Sequence, residues 1–422
     1  MGHLSRYARN FNQETFSSLR IRNYRLFYIG QIISTSGTFM QSVAQSWLVL
    51  ELTHSGAALG ITTALQSIPI LLLGPYGGVI ADRVSKRKIF FFTQSIASIL
   101  AMILGVLVFT GVVQVWMVYI LAFCLGLVNA FDNPSRQTFH IELVGPDHLR
   151  NAVTLYSILI NLARIIGPVL AGALIASVGL APCFFINGFS YIAVLVMLSM
   201  MRTSEMFITP PVPRGKGQIQ EGFKYARSTP IIGAILLMIA IIGMFTYEFQ
   251  VTLPLIAQEI FNGDARSYAF LTASMGFGAA IGGIFFASRK GLTTQKLVSA
   301  CLLFGVAVLA AAFMPSLLLT GLAMVLVGIG SINFSSIANS MLQLASSPQM
   351  RGRVMSFWTI AFLGTTTIGG PIVGWFAETS GARWGLALGG LAGIAAAGIG
   401  AFALRNVQSM HAVTAEQEEK PA

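Results

Sequence analysis

Charged residues inside apolar stretches are costly, and three of them carry the chemistry open to this chain. Arg164 stands near the middle of the apolar run 152–178, and Glu248 lies just past the midpoint of the run 231–257. Asp132 lies about one turn inside the end of the run 114–136. Within hydrocarbon each charge costs at least about 2.5 kcal/mol unless it is paired or hydrated. A carboxyl group there can bind and release a proton, which is the chemistry of proton coupling. Glu248 is the first candidate for that role, with Tyr247 beside it and Pro254 loosening the helix two turns on. Asp132 is the alternate, less favoured because it lies near the end of its run and close in sequence to Arg136. For Arg164 two readings stay open: a functional charge, or a structural ion pair with Asp132 as a candidate partner.

Uncharged polar residues form a second pattern. Gln31, Ser34, Thr35, Thr38, Gln41, Ser42 and Gln45 recur at helical spacing, so they make one stripe on the first run. Ser331, Ser335 and Asn339 make a weaker stripe, and Asn129, Asn133 and Arg136 a third group. Such a stripe avoids lipid. It either lines a wet cavity that holds a polar cargo or makes hydrogen bonds between helices. Other chemistries lack their residues. His3, His54, His140, His148 and His411 are isolated, and Cys124, Cys183 and Cys301 are scattered in apolar runs. Neither set has metal-ligand spacing or makes a disulfide framework. No phosphate-binding Walker sequence is present, so ATP is not the direct energy source. No cofactor and no metal are expected.

The elements that position these residues are read from composition. Of 422 residues, 55% are hydrophobic and 10% charged, with mean hydropathy +0.74. A soluble domain carries about 25% charged residues, so a water-exposed surface is excluded. Apolar runs fall at 24–50, 57–80, 89–111, 114–136, 152–178 and 181–201, then at 231–257, 267–288, 296–314, 317–341, 353–379 and 383–404. They do not alternate as barrel strands do. The expected fold is therefore an all-α membrane protein of twelve transmembrane helices in two six-helix bundles, 24–201 and 231–404. A cytoplasmic N-terminal segment, 1–23, a linker, 202–230, and a tail, 405–422, complete the chain. The linker holds Pro210, Pro211 and Pro213 and ends in a short amphipathic helix, Glu221 to Arg227, expected on the membrane surface. The first apolar run is too long for a cleaved leader.

Lysine and arginine set the orientation. Arg6, Arg9, Arg20, Arg22 and Arg25, then Arg83, Lys86, Arg87 and Lys88, then Arg202, Arg214, Lys216, Lys224 and Arg227 all fall on one side. The opposite loops hold only Arg266 and Arg383. The basic side is expected to be cytoplasmic, with both termini there. The net charge of +11 is thus a topology signal that also suits anionic headgroups, not a nucleic-acid footprint.

The halves repeat. Arg136-Gln137-Thr138 through Leu149-Arg150-Asn151-Ala152-Val153 aligns with Ile337-Ala338-Asn339 through Met350-Arg351-Gly352-Arg353-Val354. Gly167-Pro168 aligns with Gly370-Pro371. Two parallel six-helix repeats with a path at their interface are a transporter architecture. Gly78-Val79-Ile80-Ala81-Asp82-Arg83-Val84-Ser85-Lys86-Arg87-Lys88 resembles the signature loop of the major facilitator superfamily, with Ser85 where a glycine is usual. The resemblance covers essentially the whole chain. It implies that Asp82, with Gly78, Arg83, Lys86 and Arg87, latches the cytoplasmic side against the eleventh helix, near Arg353; a plain basic anchor is the other reading. It also implies that the first, fourth, seventh and tenth helices line the central cavity.

Phe131-Asp132-Asn133-Pro134-Ser135-Arg136-Gln137 and Asn161-Leu162-Ala163-Arg164-Ile165-Ile166-Gly167-Pro168 resemble the exporter branch that includes enterobactin exporters and macrolide efflux proteins. That likeness implies proton-driven export of a siderophore-like or drug-like molecule by alternating access in the inner membrane. The two Gly-Pro pairs either break their helices or serve packing, and Gly385, Gly389 and Gly393 read as helix packing. The expected partners are a small-molecule substrate, protons and the lipid bilayer, with the protein a monomer. The rival readings are an importer or facilitator of the same fold, a transport-inactive membrane sensor, and a membrane enzyme. The enzyme would need catalytic groups clustered at one depth, and the sequence shows none.

Overall fold

The structure, a computed structural model, describes residues 17–207, 218–288, 292–347 and 350–418. No described residue lies in a strand. Ten described helices are long and apolar enough to cross a bilayer. One of them, Val115–Val178, runs 64 residues and leaves helical geometry once, at Gly145 (φ 71°, ψ 175°). At about 1.5 Å per residue, 115–144 and 146–178 are each long enough for a bilayer core of about 30 Å. The first helix, Arg22–Thr53, is also long enough, and its glutamine-serine-threonine stripe lowers its hydropathy.

The chain therefore has twelve spanning helices among its described residues. They are α1 Arg22–Thr53, α2 Gly56–Arg83, α3 Lys86–Phe109, α4 115–144, α5 146–178 and α6 Ala181–Ser199. The second six are α7 Pro230–Ile260, α8 Ala265–Ser288, α9 Thr294–Phe313, α10 Leu317–Ala345, α11 Arg351–Ser380 and α12 Ala382–Glu418. Phe109 is 77% exposed, Ile284 74% and Phe402 73%. Apolar side chains this open are stable against lipid and not against water.

The elements differ from the apolar runs at three places. The segment between the fourth and fifth runs, 137–151, is helical up to the single break. Gly145 takes a positive φ that other residues avoid, and Pro146 starts α5 where its missing N–H costs nothing. Next, α7 is not an unbroken helix: it passes through a π-turn at Ile242–Thr246, leaves helical geometry at Tyr247 and Glu248, and resumes at Phe249. That break precedes Pro254, and a second π-turn, Ile256–Ile260, comes just after the proline. Last, the helix of the linker spans Gln218–Ser228, beyond the expected Glu221 to Arg227 at both ends, and it also makes contacts to protein. Glu221 pairs with Arg353 at 2.7 Å, the Ser347 N–H donates to the Tyr225 hydroxyl at 3.1 Å, and Phe223 meets Phe357 edge-on.

Packing divides the chain into two units. The first comprises Met1–Leu52 and Ile68–Pro213, the second Thr53–Ser67 and Arg214–Ala422. Residues 53–67, the start of α2, thus group with α7–α12. The first unit is built around Tyr24, Phe27, Phe90, Phe139, Leu143, Leu155 and Leu198. In the second, small residues let backbones touch. A Cβ on Gly393 would lie 2.8 Å from Gly305 Cα, and one on Gly389 2.8 Å from the Phe245 carbonyl oxygen. The glycine spacing on α12 serves packing.

Candidate functional site

In the first unit the residues of α4 meet α1, α3 and α5 around one buried carboxylate. Asp132 and Arg136 are one turn apart on α4, so their side chains share a face. Arg136 donates to Asp132 Oδ2 through Nη2 and, at 3.1 Å, through Nε. The Thr93 hydroxyl donates to Asp132 Oδ1 at 2.7 Å and Gln94 Nε2 donates to it at 3.0 Å. Arg136 Nη1 donates to Gln31 Oε1 on α1 and, at 3.4 Å, to the Tyr156 hydroxyl on α5. The guanidinium also lies over the Phe90 ring, 5.7 Å from its centre. Both oxygens of Asp132 are occupied, and its ionic partner is Arg136. The suggested Asp132–Arg164 pair is not formed. Arg164 instead lies over the Phe39 ring, 5.8 Å from its centre.

The stripe on α1 splits between two tasks. Gln41 Oε1 accepts from Asn187 Nδ2 at 2.6 Å, and the Thr38 hydroxyl pairs with that of Tyr191 at 3.2 Å. Both partners are on α6, so here the stripe makes interhelical bonds. Closer to Arg136, Gln31 Nε2 and Thr35 Oγ1 are buried without a hydrogen-bond partner, as are Gln94 Oε1 and both ring nitrogens of His140. Gln45 is buried, and Asn129 and Asn133 are half-buried on α4.

The second unit holds the other acid. Glu248 is 2% exposed and sits where α7 leaves helical geometry. The Thr366 side chain of α11 lies beside its carboxylate, whose Oε1 has no hydrogen-bond partner. A Cβ placed on Gly370 would lie 3.4 Å from Glu248 Oε2 and 2.9 Å from the Gly60 carbonyl oxygen. The Tyr247 hydroxyl pairs with Ser331 Oγ on α10 at 2.8 Å, and its ring packs on Phe304 and Phe362. Further along α10, Ser335 bonds the Ile332 carbonyl oxygen of its own helix, and Asn339 accepts from Gln343.

Pro168 lies in continuous helix, whereas Pro371 follows a π-turn at Ile360–Gly364 and a turn at Thr365, after which α11 resumes at Thr366. Their glycines serve close approach: a Cβ on Gly167 would lie 2.8 Å from the Ser36 carbonyl oxygen of α1. In the signature loop, Gly78 and Asp82 lie on α2, and the Asp82 side chain is outside what the structure describes. Arg83 is exposed. Lys86 is paired with Glu142 of α4, and Arg87 donates to the carbonyl oxygens of Leu198 and Ser199 at the end of α6. Those two cations therefore staple the first unit, and Arg87 complements the C-terminus of α6.

Residues 13–422 match the family described as transmembrane secretion effectors. The chain belongs to that family of major facilitators. Among its relatives is the staphyloferrin A transporter of Staphylococcus aureus, 25% identical over 68% of this chain and 73% of that one. Macrolide efflux protein A of Streptococcus pyogenes is 22% identical, over 81% and 86%. The enterobactin exporter of Shigella boydii is 24% identical, over 83% and 84%. A POT family transporter crystallised with 5-aminolevulinic acid superposes with a TM-score of 0.74 over 90% of this chain and 95% of that one, at 12% identity. That likeness carries the fold alone. This secretion-effector chain is thus a multi-pass membrane transporter.

Several partners in the two clusters were not singled out from sequence: Thr93, Gln94, Tyr156 and Asn187 in the first unit, Thr63 and Thr366 in the second. Each is a polar residue in an apolar run, and that polarity was the available signal.

Proposed function

We propose that this transporter exports a small organic molecule across the bacterial inner membrane in exchange for protons, by alternating access, with both termini cytoplasmic. Glu248 carries this reading. A buried acid at a helix break, with one oxygen unbonded, is a place where a proton can be carried. Asp132, with both oxygens engaged by Arg136, Thr93 and Gln94, is fitted to hold α3 and α4 together. Export is supported by the relatives, whose names include an enterobactin exporter and a macrolide efflux protein. The cargo is siderophore-like or drug-like. Gln31, Thr35, Asn129, Asn133 and Tyr247 are its candidate contacts, with the unpartnered Gln31 and Thr35 atoms first among them.

Untargeted mass spectrometry of cells and culture supernatants, with and without the protein, tests direction and cargo together. A metabolite that is depleted outside and accumulates inside when the protein is absent is the expected result. The reverse pattern would establish import.

A further inference from the structure

Where α2 begins, it touches α11 backbone to backbone. A Cβ on Gly56 would lie 2.5 Å from the Gly374 carbonyl oxygen, and one on Gly60 would lie 2.8 Å from Pro371 Cα. Real Cβ atoms do not come within 3.0 Å of such atoms. Glycine at 56, 60, 370 and 374 is therefore what allows this seam. At its outer end Glu378, two turns beyond Pro371 on α11, accepts from the Ser55 hydroxyl at 2.6 Å and from the Ala57 N–H at 3.0 Å. A carboxylate there satisfies a first-turn N–H of α2 and faces the positive end of its dipole. The inner end of the seam is Thr63, Gly370 and the Glu248 carboxylate. One line of contacts thus runs from an exposed carboxylate clamp to a buried acid whose Oε1 has no partner.

We infer that this glycine seam, clamped by Glu378, is the gate that separates Glu248 from the outside, and that Glu378 is a positioning residue for proton entry. The inference rests on the proton-carrying role of Glu248 and on the basic-residue orientation, which puts the α1–α2 loop outside. Closed, the backbones of α2 and α11 leave no room for water between Gly60 and Gly370. Opening the gate requires the start of α2 to part from α11, which breaks both hydrogen bonds to Glu378. The clamp therefore sets how often Glu248 meets external protons.

The test is labelling of Thr63→Cys in the full chain. A membrane-impermeant maleimide is added to right-side-out vesicles, and labelling of the parent, which keeps Cys124, Cys183 and Cys301, is subtracted. Adding Glu378→Ala should raise the labelling rate about tenfold, the ratio that about 1.4 kcal/mol sets. Gly374→Ala should raise it as well, and Glu378→Gln, which keeps an acceptor, should raise it less. Equal rates in Thr63→Cys alone and with Glu378→Ala would overturn the gate, whether or not the Gly374→Ala protein folds. Faster labelling of inside-out than of right-side-out vesicles in the Glu378→Ala protein would overturn it too. Labelling does not depend on cargo or coupling. A Glu248→Gln protein that still drives uphill transport, with labelling as predicted, would remove the proton assignment and leave the gate. A coupling-dead Glu248→Gln protein with unchanged labelling would remove the gate and leave the assignment.

Discussion

Asp132 and Arg136 differ from Glu248 in how fully each is matched, and that difference assigns their tasks. Removing one member of a buried pair leaves an uncompensated charge, at a cost of about 3–5 kcal/mol. Arg136→Ala should therefore lower the unfolding midpoint sharply in detergent, and adding Asp132→Asn should restore much of the loss. A double-mutant cycle showing additive effects would contradict the pair. Arg136→Lys should fall between, because an ammonium cannot span Asp132, Gln31 and Tyr156 as the planar guanidinium does. The sequence marked all three acids and bases by the expense of charge in an apolar run. It did not reveal that Asp132 chooses the arginine one turn away over Arg164, although the i, i+4 spacing carried that information. The donors on α3, Thr93 and Gln94, were not singled out, because nothing along α3 shows that they meet a carboxylate on another helix.

Helix ends were legible where glycine and proline act locally, and not where tertiary contacts decide. Gly145-Pro146 is a break that local chemistry explains. With φ 71° and ψ 175°, Gly145 lies in a region open almost only to glycine. A Cβ there would also sit 3.1 Å from the Phe207 ring. Gly145→Ala should destabilise the protein by about 1–3 kcal/mol, seen as a lower thermal midpoint, and an unchanged midpoint would show that the break is not needed. By contrast Pro168 passes through its helix without interruption, with the α1 backbone closed upon Gly167, while α11 leaves α-helical geometry at Ile360–Gly364, before Pro371. The break in α7 falls where no proline stands. There Thr246 donates to the Gly389 carbonyl oxygen on α12 and Tyr247 reaches Ser331 on α10. Those pulls come from other helices, so periodicity along α7 cannot show them.

At the scale of the whole chain, twelve runs and a repeated pattern sufficed for the fold, because lipid accepts few backbone solutions. The grouping of residues 53–67 with the second half was not legible, since it depends on glycines of two distant helices meeting. The proposed orientation places residue 215 inside and the loop near Asp264 outside. Reporter fusions at the two positions should be labelled accordingly, and the opposite labelling would overturn it. The central claim is that protons moving through Glu248 drive cargo outward. The measurement is uptake of the cargo found by mass spectrometry, by proteoliposomes carrying an imposed pH gradient, for the parent, Glu248→Gln and Asp132→Asn proteins. The account predicts that Glu248→Gln loses uphill accumulation while keeping downhill exchange. If Glu248→Gln concentrates cargo as well as the parent and Asp132→Asn does not, protons travel through α4 and the account is contradicted.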